Sequence, residues 1–169
     1  MIRPNQSRLN AQAGVTLVEM MAVVAIIGLV AAISFPAVSS GLDGIRLTSA
    51  TDSVAAFLNA GLNRAERRQI PIEITVSQPE NSLTMRSTEP GFLRSLALPD
   101  GVSVVGVRPA LYPGSEEEAT RRIYFYPGGA PPAIGVEIAN RRGIHRIVHI
   151  DPTSGVALVD EPLRDEDRK

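Results

Sequence analysis

The sequence contains no cysteine and no tryptophan, and its aromatic residues make up only 4% of the chain. Without cysteine, the protein can form no disulfide, bind no metal through thiolates and use no cysteine nucleophile. The scarcity of aromatic rings leaves few side chains on which bases or sugars could stack. The net charge is also close to zero, because 17 basic and 18 acidic residues give −1. The composition therefore provides no general attraction to nucleic acid or anionic lipid.

The sequence does have one long uncharged segment near its start. Residues 20–42 are 23 consecutive residues without a formal charge, and most are apolar. A helix needs about 20 such residues to cross a bilayer, whereas the apolar part of a secretory signal has only about 7–15. Residues 1–14 contain Arg3 and Arg8 and no acidic residue, which predicts that the N-terminus lies in the cytoplasm. We predict a single membrane-spanning helix. The alternative is a buried helix of a soluble protein, but the amphipathic periodicity typical of such a helix is missing here.

The helical pattern continues past the uncharged segment and becomes amphipathic. Its apolar residues recur at spacings of three and four: Leu47, Ala50, Val54, Phe57, Leu58, Gly61 and Ala65. The pattern predicts one helix from about Val15 to about Gln69, which ends before Pro71. Pro36 lies inside this helix and lacks a backbone donor, so we expect a kink there.

Short strand-like segments separated by turn residues follow the helix. Residues 108–121 are expected to form a loop, and the charged C-terminal tail is expected to fray. A small antiparallel sheet that covers the apolar stripe of the helix gives an α+β fold in one domain. The predicted strands, of which the first two form a hairpin, are 70–76, 82–87, 101–107, 122–126, 134–140, 144–150 and 156–160.

A specific pattern marks the start of the uncharged segment. A short basic leader ends in Gly14, the hydrophobic Val15 follows, and Glu19 is fifth in the chain that begins at Val15. This pattern resembles that of type IV prepilins, which also resemble this chain in the proline at position 36. The resemblance implies cleavage between Gly14 and Val15 by a prepilin peptidase and N-methylation of Val15. Family members more often have phenylalanine where Val15 stands, which leaves cleavage expected and the efficiency of methylation open.

The resemblance also divides the chain into three parts. It implies a cleaved leader (1–14), a transmembrane and filament-core helix (15–42) and a periplasmic α+β domain (43–169). It implies a single-pass protein of the bacterial inner membrane that has no cofactor and is a substrate of the peptidase, not an enzyme.

The rest of the chain is similar to the GspH/FimT group of minor pseudopilins and minor pilins. The similarity lies in the segments 62–76, 122–132 and 145–159. This similarity implies a minor pseudopilin of a type II secretion system, with other pseudopilins and the inner-membrane assembly platform as partners. The alternative is a FimT-like minor type IV pilin that takes part in pilus biogenesis or in DNA binding and uptake.

Glu19 places a carboxylate at the head of an apolar helix. Residues four apart share a helix face, so Glu19 lies on the side of Val15. An unpaired charge at the centre of a membrane helix costs about 2.5–3.5 kcal/mol on insertion scales, and less near the interface. Pairing with the N-terminal ammonium of a neighbouring subunit would lower that cost and fix the axial register of a filament. The alternative is an interfacial glutamate that faces water.

Other chemistry-bearing residues give weaker signals. His145 and His149 would lie about 13 Å apart along a strand, too far to share a metal, so we expect a surface or edge-strand role. The acidic run 116–118 lacks the spacing of a calcium loop and is expected to be solvated. The sequence contains no nucleophile motif, and we predict no metal site and no catalytic site.

Arginine pairs bear on the DNA-binding alternative. The C-terminal segment 160–169 has five acidic and three basic residues, which would repel a phosphate backbone. The sequence therefore favours a structural role in secretion over nucleic-acid binding, without excluding the latter. The basic positions concerned are Arg67 and Arg68, Arg121 and Arg122, Arg141 and Arg142, and Arg146.

Overall fold

The computed structural model describes residues 15–109, 119–161 and 163–164, without the side chains of 36–40 and 163–164. The chain divides into two compact units, one ending at Ser39 and the other beginning at Ser40. Helix α1, Leu17–Arg68, contributes residues to both units. The predicted helix is therefore confirmed to within two residues at each end.

The part of α1 in the first unit is apolar and exposed. Leu17–Phe35 has a mean hydropathy of 2.5 and is long and apolar enough to cross a membrane. Its large apolar side chains are 45–79% exposed among the described residues, so an apolar environment is needed to cover them. Pro36 lies within the helix bounds, but its side chain is outside the described residues, and the expected kink remains a prediction.

The second unit combines the rest of α1 with two antiparallel sheets. The first sheet has the strand order β3-β2-β1-β5, and the second has the order β4-β6-β7-β8, with β9 also paired to β7. In the part of the chain that the structure describes, the strands are β1 Ile72–Ser77, β2 Ser82–Ser87, β3 Leu93–Ala97, β4 Val102–Arg108, β5 Thr120–Phe125, β6 Gly135–Asn140, β7 Ile144–Ile150, β8 Ala157–Val159 and β9 Leu163–Arg164.

The apolar stripe of α1 forms the core with the inner faces of both sheets. Leu47, Ala50, Val54, Leu58 and Ala65 are at most 2% exposed. They belong to one cluster with alternate residues of the first sheet, such as those of β1, and of the second sheet, such as those of β6. The α+β class is confirmed, and so is the use of this stripe as the packing face.

The sheet structure differs from the single sheet that we expected. After β5 the chain passes through Pro131 and Pro132, which have no N–H to donate to a ladder, and β6 then pairs with β4 and β7. Strand β3 was not predicted, because its residues are mostly exposed and do not alternate in polarity. Strand β9 lies in the tail that we expected to fray, and Ile144 and His145 of β7 pair with it.

Candidate processing and assembly site

A side chain just before the first turn of α1 caps the helix. Val15 and Thr16 are not helical, and α1 begins at Leu17. The hydroxyl oxygen of Thr16 accepts a hydrogen bond from the backbone N–H of Glu19 at 3.2 Å. The backbone carbonyl of Thr16 accepts one from Met20 N–H, also at 3.2 Å. Thr16 is therefore the N-cap residue of α1, and Glu19 is its third helical residue.

The role of Thr16 was missed in the sequence, although its signal was present. A threonine followed three residues later by glutamate, ahead of an apolar run, is the spacing of a capping box. Glu19 in the first turn also places a negative charge near the positive end of the helix dipole. Glu19 thus supports the start of its own helix, in addition to any contact with another subunit.

Of the three residues predicted for processing and assembly, the structure describes Val15 and Glu19. Val15 is 66% exposed, and Glu19 is exposed in the first turn of α1. Glu19 carries the only formal charge between residues 15 and 42. Gly14 lies outside the described residues. Cleavage after Gly14, methylation of Val15 and an assembly contact of Glu19 therefore remain predictions.

The comparison with protein families bears on this same segment. A family model described as the prokaryotic N-terminal methylation motif matches residues 9–35. The chain carries a type IV prepilin-like signal. The match supports a type IV pilin-like protein of structural character, and it implies processing by a prepilin peptidase and association with the membrane. Together with the apolar helix it is consistent with a single-pass anchor. No curated protein and no solved structure matches the chain at a significant level.

The two histidines do not behave alike. His145 is buried on β7, which lies inside the second sheet, so the expected surface or edge role is wrong for this residue. Its Nδ1 atom lies 2.9 Å from Oε1 of the buried Glu137 on β6. Arg108 donates to the other oxygen of Glu137 from Nε at 3.1 Å and from a terminal nitrogen at 3.0 Å. Burial is possible because the carboxylate and its partners satisfy one another.

His149 lies on the same strand in a more open position. Its Nδ1 atom is 3.0 Å from Oδ1 of Asp160, and both side chains are more than a third exposed. Among the described residues, no group of three or more histidine, aspartate or glutamate side chains could hold a metal ion. The acidic run 116–118 lies outside those residues.

The arginine pairs lie on separate elements. Arg68, at the end of α1, lies 3.9 Å from Glu89. Arg121 and Arg122 are successive residues of β5, so their side chains leave opposite faces of the first sheet. Arg141 and Arg142 are exposed in the turn between β6 and β7.

An exposed row of side chains follows the edge strand β5. Arg122, Tyr124 and Tyr126 alternate along the chain and face away from the core. The two tyrosine rings are stacked, with centroids 6.3 Å apart and planes 25° apart. The Tyr124 hydroxyl donates to Oε2 of Glu73 at 2.9 Å, and this hydrogen bond to a carboxylate raises the pKa of the phenol. We name these three residues the β5 row.

Proposed function

We propose that the protein is a minor pseudopilin of a type II secretion system, which assembles through α1 into a periplasmic pseudopilus or its tip and thereby drives protein export. One observation carries this proposal: a prepilin-like signal leads directly into a helix whose apolar side chains are exposed from Leu17 to Phe35. Such a surface is stable in a bilayer, and outside the bilayer it is stable when neighbouring helices cover it. A helix that moves between these two environments suits a subunit stored in the membrane and drawn into a filament.

Glu19 gives the assembly step its register. Cleavage after Gly14 would create an ammonium group on Val15, four residues before Glu19 on the same helix face. In an apolar setting, a carboxylate gains from an ammonium partner, because both groups would otherwise remain unpaired away from water. When the partner is the ammonium of a neighbouring subunit, the two charges pair at only one axial position of one helix along the other. Arg3 and Arg8 orient the leader towards the cytoplasmic peptidase, so the second unit faces the periplasm.

The choice of a secretion role over a pilus role rests on sequence charge. The C-terminal segment 160–169 is acidic, and the arginine pairs are distributed over α1, β5 and the β6–β7 turn. A dispersed arrangement of cations offers a weaker path for a nucleic-acid backbone than one continuous basic stripe. In the proposed mechanism the work is mechanical, because growth of the filament from the inner-membrane assembly platform pushes exported proteins outward.

Replacement of Glu19 in the full-length protein tests this function. We expect Glu19→Ala and the closer mimic Glu19→Gln to insert in the membrane and lose the leader normally. Crosslinking to other pseudopilins should fall about tenfold or more, because a hydrogen bond to a charged group contributes about 1.5–3 kcal/mol. Glu19→Asp, which retains the charge, should assemble better than Glu19→Gln. Normal crosslinking of Glu19→Gln would contradict the assembly role, and copurification with pilus subunits alone would contradict the secretion role.

A second candidate function is that of a minor type IV pilin that binds DNA. The observation that favours it is the β5 row, because exposed tyrosines beside an arginine can stack on bases and contact phosphates. A gel shift with single-stranded and duplex DNA at several salt concentrations tests this candidate on residues 43–169. Binding that falls steeply with salt and is lost in Arg122→Ala and Tyr126→Ala would favour it. Arg142→Ala, in the exposed β6–β7 turn, serves as the matched loss of one charge elsewhere.

A further inference from the structure

We propose that a cavity in the second unit binds the arginine side chain of a neighbouring filament subunit. The cavity lies beside the C-terminal end of α1, where the β5–β6 loop and the β7–β8 turn meet the helix, and its volume is about 250 Å³. Pockets for drug-sized ligands measure about 300–1,000 Å³, so this cavity suits a single large side chain. The identity of the partner as a filament subunit rests on the proposed function, whereas the chemistry of the cavity does not.

The walls of the cavity are held in place by contacts within the chain. Gly128 N–H in the β5–β6 loop donates to Oε1 of Glu66 on α1 at 2.9 Å. On the other side, the hydrogen bond from β8 to Asn59 holds the end of the β7–β8 turn against the helix. The loop and the turn lie close together, since a Cβ atom added to Gly155 would be 3.2 Å from Pro131. The cavity is therefore formed before a ligand binds, and binding requires little further ordering of the chain.

The charge of the lining favours a cation. Glu66 is the only charged residue among the described residues that line the cavity, and it is exposed. One of its oxygens accepts from Gly128 N–H, and no ion pair joins it to a cation in the described part of the chain. A carboxylate without a counterion attracts a cation and repels a phosphate or a second carboxylate.

The uncharged polar side chains of the lining add hydrogen-bond acceptors. The NH2 group of Asn63 donates to the Asn59 carbonyl at 2.8 Å, which leaves its Oδ1 atom available as an acceptor. The Ser154 hydroxyl donates its hydrogen to Asp151 at 2.6 Å and accepts from Val156 N–H at 3.3 Å, which leaves one lone pair. A guanidinium has five N–H donors and no acceptor, so it matches these oxygens. Asn59 is the exception, because its oxygen is occupied and its NH2 group is left to meet a backbone carbonyl of the partner.

An aromatic ring at the cavity distinguishes arginine from lysine. Tyr126 lines the cavity and is 60% exposed. A guanidinium can stack on such a ring while it pairs with a carboxylate through two parallel hydrogen bonds, whereas an ammonium is a strongly hydrated point charge. Arg64 already combines both contacts within this chain, because it pairs with Glu89 and lies 3.5 Å from the centre of the Phe92 ring. We therefore infer arginine as the residue that enters.

A capped arginine, N-acetyl-arginine methylamide, tests the chemistry by titration of the full-length protein in detergent micelles. Amide NMR signals of Gly128, Gly129 and Val156 should shift and reach saturation. Capped citrulline has nearly the same shape without the charge, and it should bind about fivefold more weakly, the upper range for a pair that is open to solvent. Capped lysine should bind more weakly than capped arginine, because it lacks the planar donor group.

Glu66→Gln separates the charge of the cavity from its shape. The amide oxygen can still accept from Gly128 N–H, so the loop should remain in place. The preference for arginine over citrulline should disappear in this variant, because the two effects depend on the same contact. Glu80→Gln is the matched control, since it removes an exposed carboxylate in the β1–β2 turn, outside the cavity, and should keep the preference.

Crosslinking identifies the chain that supplies the arginine. A photoreactive residue in place of Ala130, which lines the cavity and is exposed, should crosslink to another filament subunit in cells that produce the whole set. Glu66→Gln should lower the yield about fivefold, and Glu80→Gln should leave it unchanged. A crosslink only to a second copy of this chain, or only to an exported protein, would overturn the choice of partner.

Two results would overturn the cavity as an arginine site and leave the proposed function intact. They are the absence of saturable shifts with capped arginine, and equal affinity of the wild-type protein for capped arginine and capped citrulline. The second comparison needs no variant, so it decides the question even if Glu66→Gln fails to fold. Absence of any crosslink between the wild-type protein and other filament subunits, at the cavity or along α1, would instead overturn the proposed function.

Discussion

Asn59 of α1 accepts, through Oδ1, a hydrogen bond from the backbone N–H of Ala157 in β8 at 2.8 Å. The two residues are 98 positions apart, and the bond joins the helix to the second sheet. Ala157 is only 6% exposed, so water has little access to its N–H group. Ala157 pairs with Ile150 of β7, and its own N–H group is satisfied by this polar residue of the helix.

Replacement of Asn59 should destabilise the second unit. We expect Asn59→Ala to lower the free energy of unfolding by about 1–3 kcal/mol, because a buried donor loses its acceptor. Asn63→Ala is the matched control, since Asn63 is exposed and its side-chain amide donates to the Asn59 carbonyl of its own helix. Its effect should stay within about 0.5 kcal/mol. Urea unfolding of residues 43–169 measures both, and equal losses for the two variants would contradict this assignment.

Gly61 marks a close approach of α1 to the first sheet. A Cβ atom at this position would lie 2.9 Å from Ile74 Cδ1 and 3.0 Å from Phe125 Cε2. We expect Gly61→Val to destabilise by about 1–3 kcal/mol, the usual cost of overpacking a core. Gly44→Ala is the control, because nothing lies within 4 Å of its added Cβ. It should stabilise the helix by up to about 1 kcal/mol. Thermal unfolding that ranks the two variants the other way would contradict the packing.

Local pattern was sufficient to predict the elements that the structure confirms. The stripe from Leu47 to Ala65 repeats with the helical period, and the segment that became β1 and β2 has strand composition around a turn. Each of these signals lies within a few residues of sequence. The signal for the N-cap is equally local, because Thr16 and Glu19 have capping-box spacing.

Features that depend on distant residues could not be predicted from pattern. Gly61 carries no sign of the close approach of Ile74 and Phe125, which lie on two different strands. The burial of His145 depends on Glu137, a partner across the β6–β7 pair. The division into two sheets depends on which strands pair, and alternating polarity does not encode the pairing partner.

Two histidine–carboxylate pairs on β7 should differ in their effect on stability. His145 and Glu137 are 2.9 Å apart with side chains 9% and 6% exposed, whereas His149 and Asp160 are 3.0 Å apart and 37% and 45% exposed. We expect Glu137→Gln to cost about 1–3 kcal/mol, because a buried amide has one oxygen where the carboxylate offers two, one to His145 and one to Arg108. Asp160→Asn should change stability by less than about 1 kcal/mol, as for exposed ion pairs. Urea unfolding measures the loss of stability in each variant. Similar losses would show that burial does not determine how much these two pairs contribute to stability.

The β7–β8 turn should loosen in acid through Asp151. Its carboxylate accepts from the Ser154 hydroxyl at 2.6 Å and from the backbone N–H groups of Thr153 and Ser154 at 3.2 and 3.1 Å. The Ser154 hydroxyl is the largest of the causes that hold the pKa of Asp151 below its ordinary value of 3.8. Because the folded pKa is the lower one, this contribution to stability is fully present above the unfolded pKa and is lost as pH falls through the folded pKa.

An NMR titration of the Asp151 carboxyl carbon in residues 43–169 checks this sign. The midpoint should lie below 3.8 in the wild-type protein and should rise towards 3.8 in Ser154→Ala. Ser154→Thr retains a hydroxyl and should keep the low midpoint, which separates the hydrogen bond from a general disturbance of the turn. Amide signals of Thr153 and Ser154, which donate to the carboxylate, should shift over the same pH range, since the protonated carboxyl is a weaker acceptor. A wild-type midpoint at or above 3.8, or one that Ser154→Ala leaves unchanged, would show that the carboxylate is not held as the structure places it.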